Sequence, residues 1–236
     1  MFVEVTEVEH YTDRLFRIRT ERPQSFRFTA GEFTMISMPD SDVARAYSLT
    51  NGPGDNFLEF YSIKVPNGPL TSRLQHIQIG DELEVNERTT GTLTLANIEL
   101  KGNLWLMATG TGIAPFMSLL RDPSTYENFH KITVTWTVRT KQELNAFHNV
   151  LKQLPIVYYP TVTQDAPGPG IYTGRITQHI DEYGFWNDIT PQVDRVMICG
   201  SMDFNMDMKN RLLEKGFQEG NKRTAGTFVL EKAFVG

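Results

Sequence analysis

The first hundred residues alternate apolar and polar positions in short runs, as half-buried strands do. "FVEVTEV", "LFRIRT", "FTMISM", "AYSLT", "FLEFYSIKV" and "DELEVN" follow one another, separated by turn-forming stretches such as "NGPGDN" and "PNGP". Short strands punctuated this regularly predict an antiparallel barrel or sandwich. One run departs from period two. In "PLTSRLQHI" (69–77), Leu70, Leu74 and Ile77 stand at helical spacing after Pro69, which predicts a short helix closing one end of a barrel.

Beyond "ELKGN" (99–103) the pattern changes. "NLWLMAT" reads as a buried strand and "APFMSLLRD" as a helix. "KITVTWTV" is again a strand, and "KQELNAFHNVLKQL" a single helix with apolar residues at 144, 147, 150, 151 and 154. "IVYYPTVT", "DRVMICG" and the tail "GTFVLEKAFV" read as strands, with helices at "TGRITQHIDEYG" and "MDFNMDMKNRLLEKG". "APGPG" (166–170) reads as a flexible surface loop. Strand and helix in strict turn imply βαβ units and a parallel sheet.

Charge supports a division into two. Residues 1–100 hold 9 Lys and Arg against 15 Asp and Glu, whereas residues 101–236 hold 14 against 13. The expected domains are therefore 1–100 and 101–236. A net charge of −5 speaks against nucleic acid as a partner. Within the acidic half, Arg14, Arg17, Arg19, Arg22 and Arg27 crowd together. They are either a solvated strand face or a docking patch for an acidic partner.

No apolar run approaches the roughly 20 residues of a membrane span. The start "MFVEVTEVEH" has the pattern of neither a signal nor a transit peptide. A cytoplasmic monomer is expected. The single cysteine, Cys199, excludes an internal disulfide, a cysteine zinc site and an iron–sulfur cluster within the chain, which needs four thiolates. The five histidines show no paired metal spacing and read as structural or surface residues.

In a parallel sheet, ligands bind outside the carboxyl ends of the strands. Three segments end there: "GTGIAP" (110–115), "TVR" (137–139) and "CGS" (199–201). Gly110 and Gly112 would let backbone approach a pyrophosphate, and the following helix would aim free N–H groups at it. Pro115 stands where the third glycine of G-x-G-x-x-G belongs, yet it suits a first helical turn. Glycine spacing alone fits a plain tight turn equally well.

Read together, "RAYS" (45–48), "FYSIKVPNGPLTSRL" (60–74), "GTGIAPF" (110–116), "ICGS" (198–201) and "FVLEKAFV" (228–235) resemble the ferredoxin–NADP+ reductase superfamily. The ending is most similar to its bacterial flavodoxin/ferredoxin branch. The resemblance implies an FAD-binding antiparallel β-barrel domain with a capping helix, followed by an α/β parallel-sheet NADP-binding domain whose C-terminal tail returns to the FAD.

It also implies roles. Arg45 would neutralise the FAD pyrophosphate, Tyr47 (after Ala46) would pack on the isoalloxazine, and Ser48 would bond near flavin N5. Ser62, Ile63, Lys64 and Val65 would run beside the adenosine end. Gly68, Leu70, Thr71 and Ser72 would present N–H groups and hydroxyls to the pyrophosphate. Thr111 and Gly112 would hold the NADP pyrophosphate, and Arg139 and Arg175 its 2′-phosphate. A third family arginine is replaced here by Gln164, which leaves the choice between NADPH and NADH open. Cys199 would sit beside the nicotinamide and Glu231 would handle protons near N5; buried packing and an edge-strand salt bridge are their plain alternatives. Ala233 would lie on the isoalloxazine and Phe234 on the adenine.

The activity so implied is electron exchange between NADPH and a ferredoxin or flavodoxin through FAD. Alternatives on the same fold are a reductase feeding an oxygenase, a free-flavin or ferric reductase, or a non-catalytic flavin-binding sensor.

Overall fold

The computed structural model describes residues 1–233. The chain divides into two compact units. One comprises Met1–Thr94 with Ala114–Asp122, and the other Leu95–Ile113 with Pro123–Ala233.

The first unit holds β1 (Phe2–His10), β2 (Leu15–Glu21), β3 (Phe33–Ser37), β4 (Arg45–Ser48), β5 (Phe57–Ile63), α1 (Thr71–Leu74) and β6 (Glu82–Val85). The strands pair antiparallel in the order β4-β3-β6-β1-β2-β5. A bridge between Leu49 and Phe60 joins the two edges, so the sheet closes into a barrel. Closure requires a corner. At Val5–Glu7 the register of β1 on β2 shifts, the bulge that lets a strand change partner and bend. Residues 2–4 of β1 pair with β6, and Val5 and residues 7–10 pair with β2.

Alternation directs Val3, Val5, Phe16, Ile18, Ile36, Leu58 and Phe60 into one buried cluster. Leu70, Leu74 and Ile77 join it, so the helical spacing read over 69–77 is that of a barrel plug. The α-helix itself spans only Thr71–Leu74, and bonds from His76 and Ile77 back to Arg73 and Leu74 continue it as turns.

The second unit holds β7 (Asn103–Thr109), β8 (Lys131–Val138), β9 (Val157–Val162), β10 (Tyr172–Thr173), β11 (Asp194–Gly200) and β12 (Phe228–Lys232). All pairs are parallel, in the order β10-β9-β8-β7-β11-β12. Every side chain of β11 is buried, as befits a strand inside a parallel sheet. Between the strands lie α2 (Ala114–Leu120), α3 (Pro123–Asn128), α4 (Lys141–Leu144), α5 (His148–Gln153), α6 (Ile176–Tyr183) and α7 (Met202–Glu214), of which α2 belongs to the first unit. Ser201 caps α7 by accepting from the Phe204 N–H, and Gly184 ends α6 at φ 64°.

Three local departures from the sequence reading have physical causes. The helix expected over 141–154 breaks at 145–147, where Phe147 leaves helical geometry and packs its ring 6.1 Å from Trp136. Tyr172–Thr173 form a sixth strand, too short to show a period. Finally, a 3-10 turn, Gly110–Ile113, separates β7 from α2, so Pro115 is the second residue of that helix.

Candidate functional site

In the first unit the expected flavin residues gather around β4, β5 and α1. Arg45 opens β4 half-buried. Its guanidinium donates to the Ala44 carbonyl at 2.9 Å, and among the described residues no carboxylate pairs with it. Tyr47 is buried, edge-on to Phe60 at 6.3 Å, and its hydroxyl lies 3.1 Å from the Ser62 hydroxyl. Burial pushes the Tyr47 hydroxyl above its usual pKa, while the Ser62 bond and the nearby Arg45 charge pull the other way. Ala46 and Ser48 are half-buried. Lys64 reaches the Thr12 carbonyl at 3.2 Å and lies 6.0 Å over the Phe16 ring.

A tight turn from Val65 to Gly68, with Asn67 at φ 59°, leads into α1. There the hydroxyls expected to meet phosphate divide. Thr71 is fully buried and its hydroxyl is engaged by the Val65 main chain at 3.3 Å, so it stabilises the turn. The Ser72 hydroxyl makes no hydrogen bond among the described residues. No side chain caps α1 at Leu70. An unpaired arginine, an unbonded hydroxyl and an uncapped helix start form a donor set that fits an anionic pyrophosphate.

In the second unit the chemistry lies at the carboxyl ends of the strands. β7 sits between β8 and β11, so the strand order reverses direction beside it, the place where such sheets bind ligands. The two glycines of the turn have different tasks. Gly110 adopts φ 53°, and a Cβ there would meet nothing within 4 Å, so its outer side is open. A Cβ on Gly112 would stand 2.1 Å from the Cys199 carbonyl oxygen, so this glycine lets the turn press on β11. Gly200 is equally tight, 2.2 Å from the Thr109 hydroxyl. Trp136 Nε1 donates to the Gly110 carbonyl at 2.8 Å and fixes the turn from β8.

Arg139 follows β8 and Arg175 follows β10, one on each side of β9, and both are exposed. Neither forms an ion pair among the described residues. Gln164 follows β9, and its N–H donates to the Arg139 carbonyl at 2.8 Å. An open glycine turn with two unpaired arginines on the same edge of the sheet suits a nucleotide carrying several phosphates.

Cys199 is buried in β11, in register with Ala108 on one side and Glu231 on the other. Burial, helped by the Glu231 charge, holds its thiol well above the usual pKa, which excludes a thiolate nucleophile at neutral pH. Glu231 is half-buried, and its carbonyl accepts from Asn205 Nδ2 at 2.9 Å. Ala233 donates its N–H to the Gly200 carbonyl at 3.0 Å, which holds the strand end beside the glycine. Phe234 lies outside the described residues. The structure thus brings Cys199, Glu231 and Ala233 together at the ends of β11 and β12.

The five clustered arginines do not make one exposed patch. On the outer face of β1, β2 and β5, Arg17 binds Glu7, Glu9 at 2.8 Å and Glu59 at 2.9 Å. Arg19 binds Glu7 at 2.9 Å and Glu59 at 2.6 Å. Arg22 turns inward to the carbonyls of Pro53 and Asp55, each at 2.7 Å. Alternation placed these side chains on the outer face; what it could not show is that Glu59 lies there fully buried.

Residues 2–92 match the oxidoreductase FAD-binding domain family, and residues 106–210 the oxidoreductase NAD-binding domain family. With the barrel, the switch point and the two donor sets, this defines an oxidoreductase that uses a flavin and a nicotinamide nucleotide. Over 98% of its length the chain is 42% identical to ferredoxin–NADP reductase A of Sorangium cellulosum, covering 89% of that protein. It is 41% identical to the flavodoxin/ferredoxin–NADP reductase of Rhodobacter capsulatus, covering 92% of it. Among solved structures, the ferredoxin NADP+ reductase of Neisseria gonorrhoeae with bound FAD and NADP superposes at a TM-score of 0.92, 27% identical, with 99% of this chain and 98% of that one covered. The chain belongs to the ferredoxin–NADP reductase family.

Proposed function

We propose that this protein moves electrons between NADPH and a ferredoxin or flavodoxin. FAD in the barrel unit supplies the conversion between two-electron hydride transfer and one-electron exchange. The single observation that carries the reading is the pair of unneutralised donor sets: Arg45 with Ser72 in one unit, and the Gly110 turn with Arg139 and Arg175 in the other.

The residues act by binding and orienting. Arg45 and the start of α1 balance the flavin pyrophosphate, and Tyr47, braced by Ser62 and Phe60, gives the flavin ring a rigid wall. Ser48 offers a hydroxyl to the reactive edge of that ring. Gly110 and Thr111 meet the NADPH pyrophosphate, and Arg139 and Arg175 select its 2′-phosphate. Cys199, kept as a thiol, fills space beside the nicotinamide without reacting with it. Glu231 holds the proton exchanged with solvent. The carrier is separate from this chain, because one buried cysteine cannot ligate an iron–sulfur cluster. We take the enzyme to act as a cytoplasmic monomer.

The test is rapid mixing of the purified yellow protein with NADPH and with NADH under anaerobic conditions. Prompt bleaching by NADPH is expected, followed by recovery of colour on addition of oxidised flavodoxin or ferredoxin. A spectrum untouched by either nucleotide overturns the proposal.

A further inference from the structure

One buried histidine of the second unit stands apart from the residues that would meet nucleotide. His179 lies on α6, 5% exposed, with both ring nitrogens bonded. Nε2 is 2.8 Å from the Thr173 carbonyl of β10, and Nδ1 is 2.8 Å from the Tyr159 hydroxyl of β9. A carbonyl only accepts, so Nε2 carries the proton and Nδ1 accepts from Tyr159. The imidazole therefore has one orientation and ties three elements of the unit together. Tyr159 is itself held: Tyr172 stacks on it, with ring centres 4.0 Å and planes 12° apart, and Phe185 lies 4.4 Å away.

The chain clamped in this way is the turn that carries Arg175. Gly174, at φ 104°, leads β10 into α6, and its N–H donates to the Val162 carbonyl at 2.8 Å. A Cβ there would stand 3.0 Å from Gln178 Oε1 and 3.6 Å from His179 Nε2, so both side chains back the turn. Arg175 N–H donates to Gln178 Oε1 at 2.8 Å, and the Thr173 hydroxyl to the Asp165 carbonyl at 2.8 Å. The main chain beside Arg175 is thus fixed, while its guanidinium makes no ion pair among the described residues. An apolar side chain at 179 would fill the same space under α6, but it could not hold the Thr173 carbonyl. A backbone set in advance need not be ordered by the ligand, which raises affinity without a new contact.

We propose that His179 is a positioning residue for Arg175: bridging Thr173 and Tyr159, it sets the β10–α6 turn so that Arg175 meets the 2′-phosphate, and thereby governs the preference for NADPH over NADH. The inference rests on the functional reading above, which gives Arg175 that phosphate. His179 itself touches no nucleotide. His179→Leu keeps an apolar filling and removes both bonds. Tyr159→Phe removes one hydroxyl and leaves the ring stack in place. His179→Gln keeps an amide donor for the Thr173 carbonyl.

The test uses the FAD-loaded full chain. Calorimetry gives Kd for adenosine 2′,5′-bisphosphate, and ferricyanide reduction gives KM for NADPH and for NADH. His179→Leu should raise Kd and the KM for NADPH about three- to fivefold with kcat within about twofold, because a misplaced binding group weakens binding and leaves the reacting atoms alone. KM for NADH should stay within about twofold, Tyr159→Phe should show a smaller loss of the same kind, and His179→Gln should recover part of the affinity. Added to Arg175→Ala, His179→Leu should weaken the bisphosphate no further, since the two act as one unit. Unchanged Kd in both His179→Leu and Tyr159→Phe, equal losses with NADPH and NADH, or additive losses in the double variant would each overturn the proposal. If His179→Leu fails to fold, Tyr159→Phe decides alone. A parent protein whose bisphosphate affinity is untouched by Arg175→Ala overturns the functional reading of Arg175 itself, a distinguishable result.

Discussion

The arginines of the two units behave in opposite ways, and the difference separates structure from function. On the barrel's outer face Arg17, Arg19 and Arg121 are matched by Glu7, Glu9 and Glu59, three cations to three anions. At the carboxyl edge of the parallel sheet, Arg139 and Arg175 face solvent with no carboxylate partner among the described residues. Both groups look alike in sequence. What distinguishes them is whether the fold has already satisfied the charge, and an unsatisfied pair on one edge of the sheet is the one available to a ligand.

The most severe way to break the comparison is to empty the centre of the matched group. Glu59→Ala leaves Arg17, Arg19 and Arg121 facing one another around a cavity. The expected loss is about 3–5 kcal/mol, the usual result of leaving buried charge uncompensated. Urea unfolding of the FAD-loaded protein measures it, and a loss below about 1 kcal/mol would show the network to be an ordinary surface one.

Removing the unmatched charges should act on binding instead. Arg139→Ala and Arg175→Ala should each raise KM for NADPH by about tenfold or more, the worth of a charge-assisted hydrogen bond, with melting temperature unchanged. KM for NADH should not move, since it lacks the 2′-phosphate. Equal losses with both nucleotides would place these residues elsewhere than at that phosphate.

Much of this was legible beforehand. Period-two alternation located the strands, because one face of each meets a core; Val3, Val5, Phe16 and Ile18 show it directly. Blocks such as "RAYS" and "GTGIAP" drew attention to Arg45, which pairs with no carboxylate among the described residues, and to Gly110, whose outer side is open. What stayed hidden depends on distant partners. Nothing in "APFMSLLRD" announces that Ser118 and Arg121 bond to Asn51 and Glu59, 67 and 62 residues away. The "NGPGDN" stretch reads as punctuation, yet its Asn51 and Gly52 receive a helix. The Arg14–Arg27 cluster read as either a solvated strand face or a docking patch, because spacing shows which face a side chain takes and not what covers that face.

Acid should weaken the matched group in a defined direction. Burial pushes the Glu59 carboxyl up, but Arg121, Thr50 and Arg19 outweigh it and hold the group below its usual pKa. Its folded value is therefore lower than its unfolded value of about 4.3. The stabilisation is complete above that pH and is lost as pH falls through the lowered folded value. Parent protein should accordingly lose melting temperature below about pH 4 more steeply than Arg121→Gln, whose Glu59 is less depressed. Parallel curves would detach Glu59 from Arg121.

The gentlest test concerns the remaining members of the cluster. Among the described residues, the exposed Arg27 side chain donates only to the carbonyls of Gln24 and Phe26, and Arg14 has no ion pair. Arg22 is depressed by burial first and by the Arg27 charge second, so removing Arg27 relieves a repulsion. Arg14→Gln with Arg27→Gln should shift stability by no more than about 0.5 kcal/mol, as surface changes do. If all five arginines steered an acidic carrier, losing two would slow its reduction several-fold at low salt and flatten the salt dependence. With Arg17 and Arg19 already neutralised by glutamates, the expected change in flavodoxin reduction is less than about twofold at any salt concentration. A larger effect in rapid mixing would restore this face as the landing surface, and would show that two unmatched cations suffice where five were first counted.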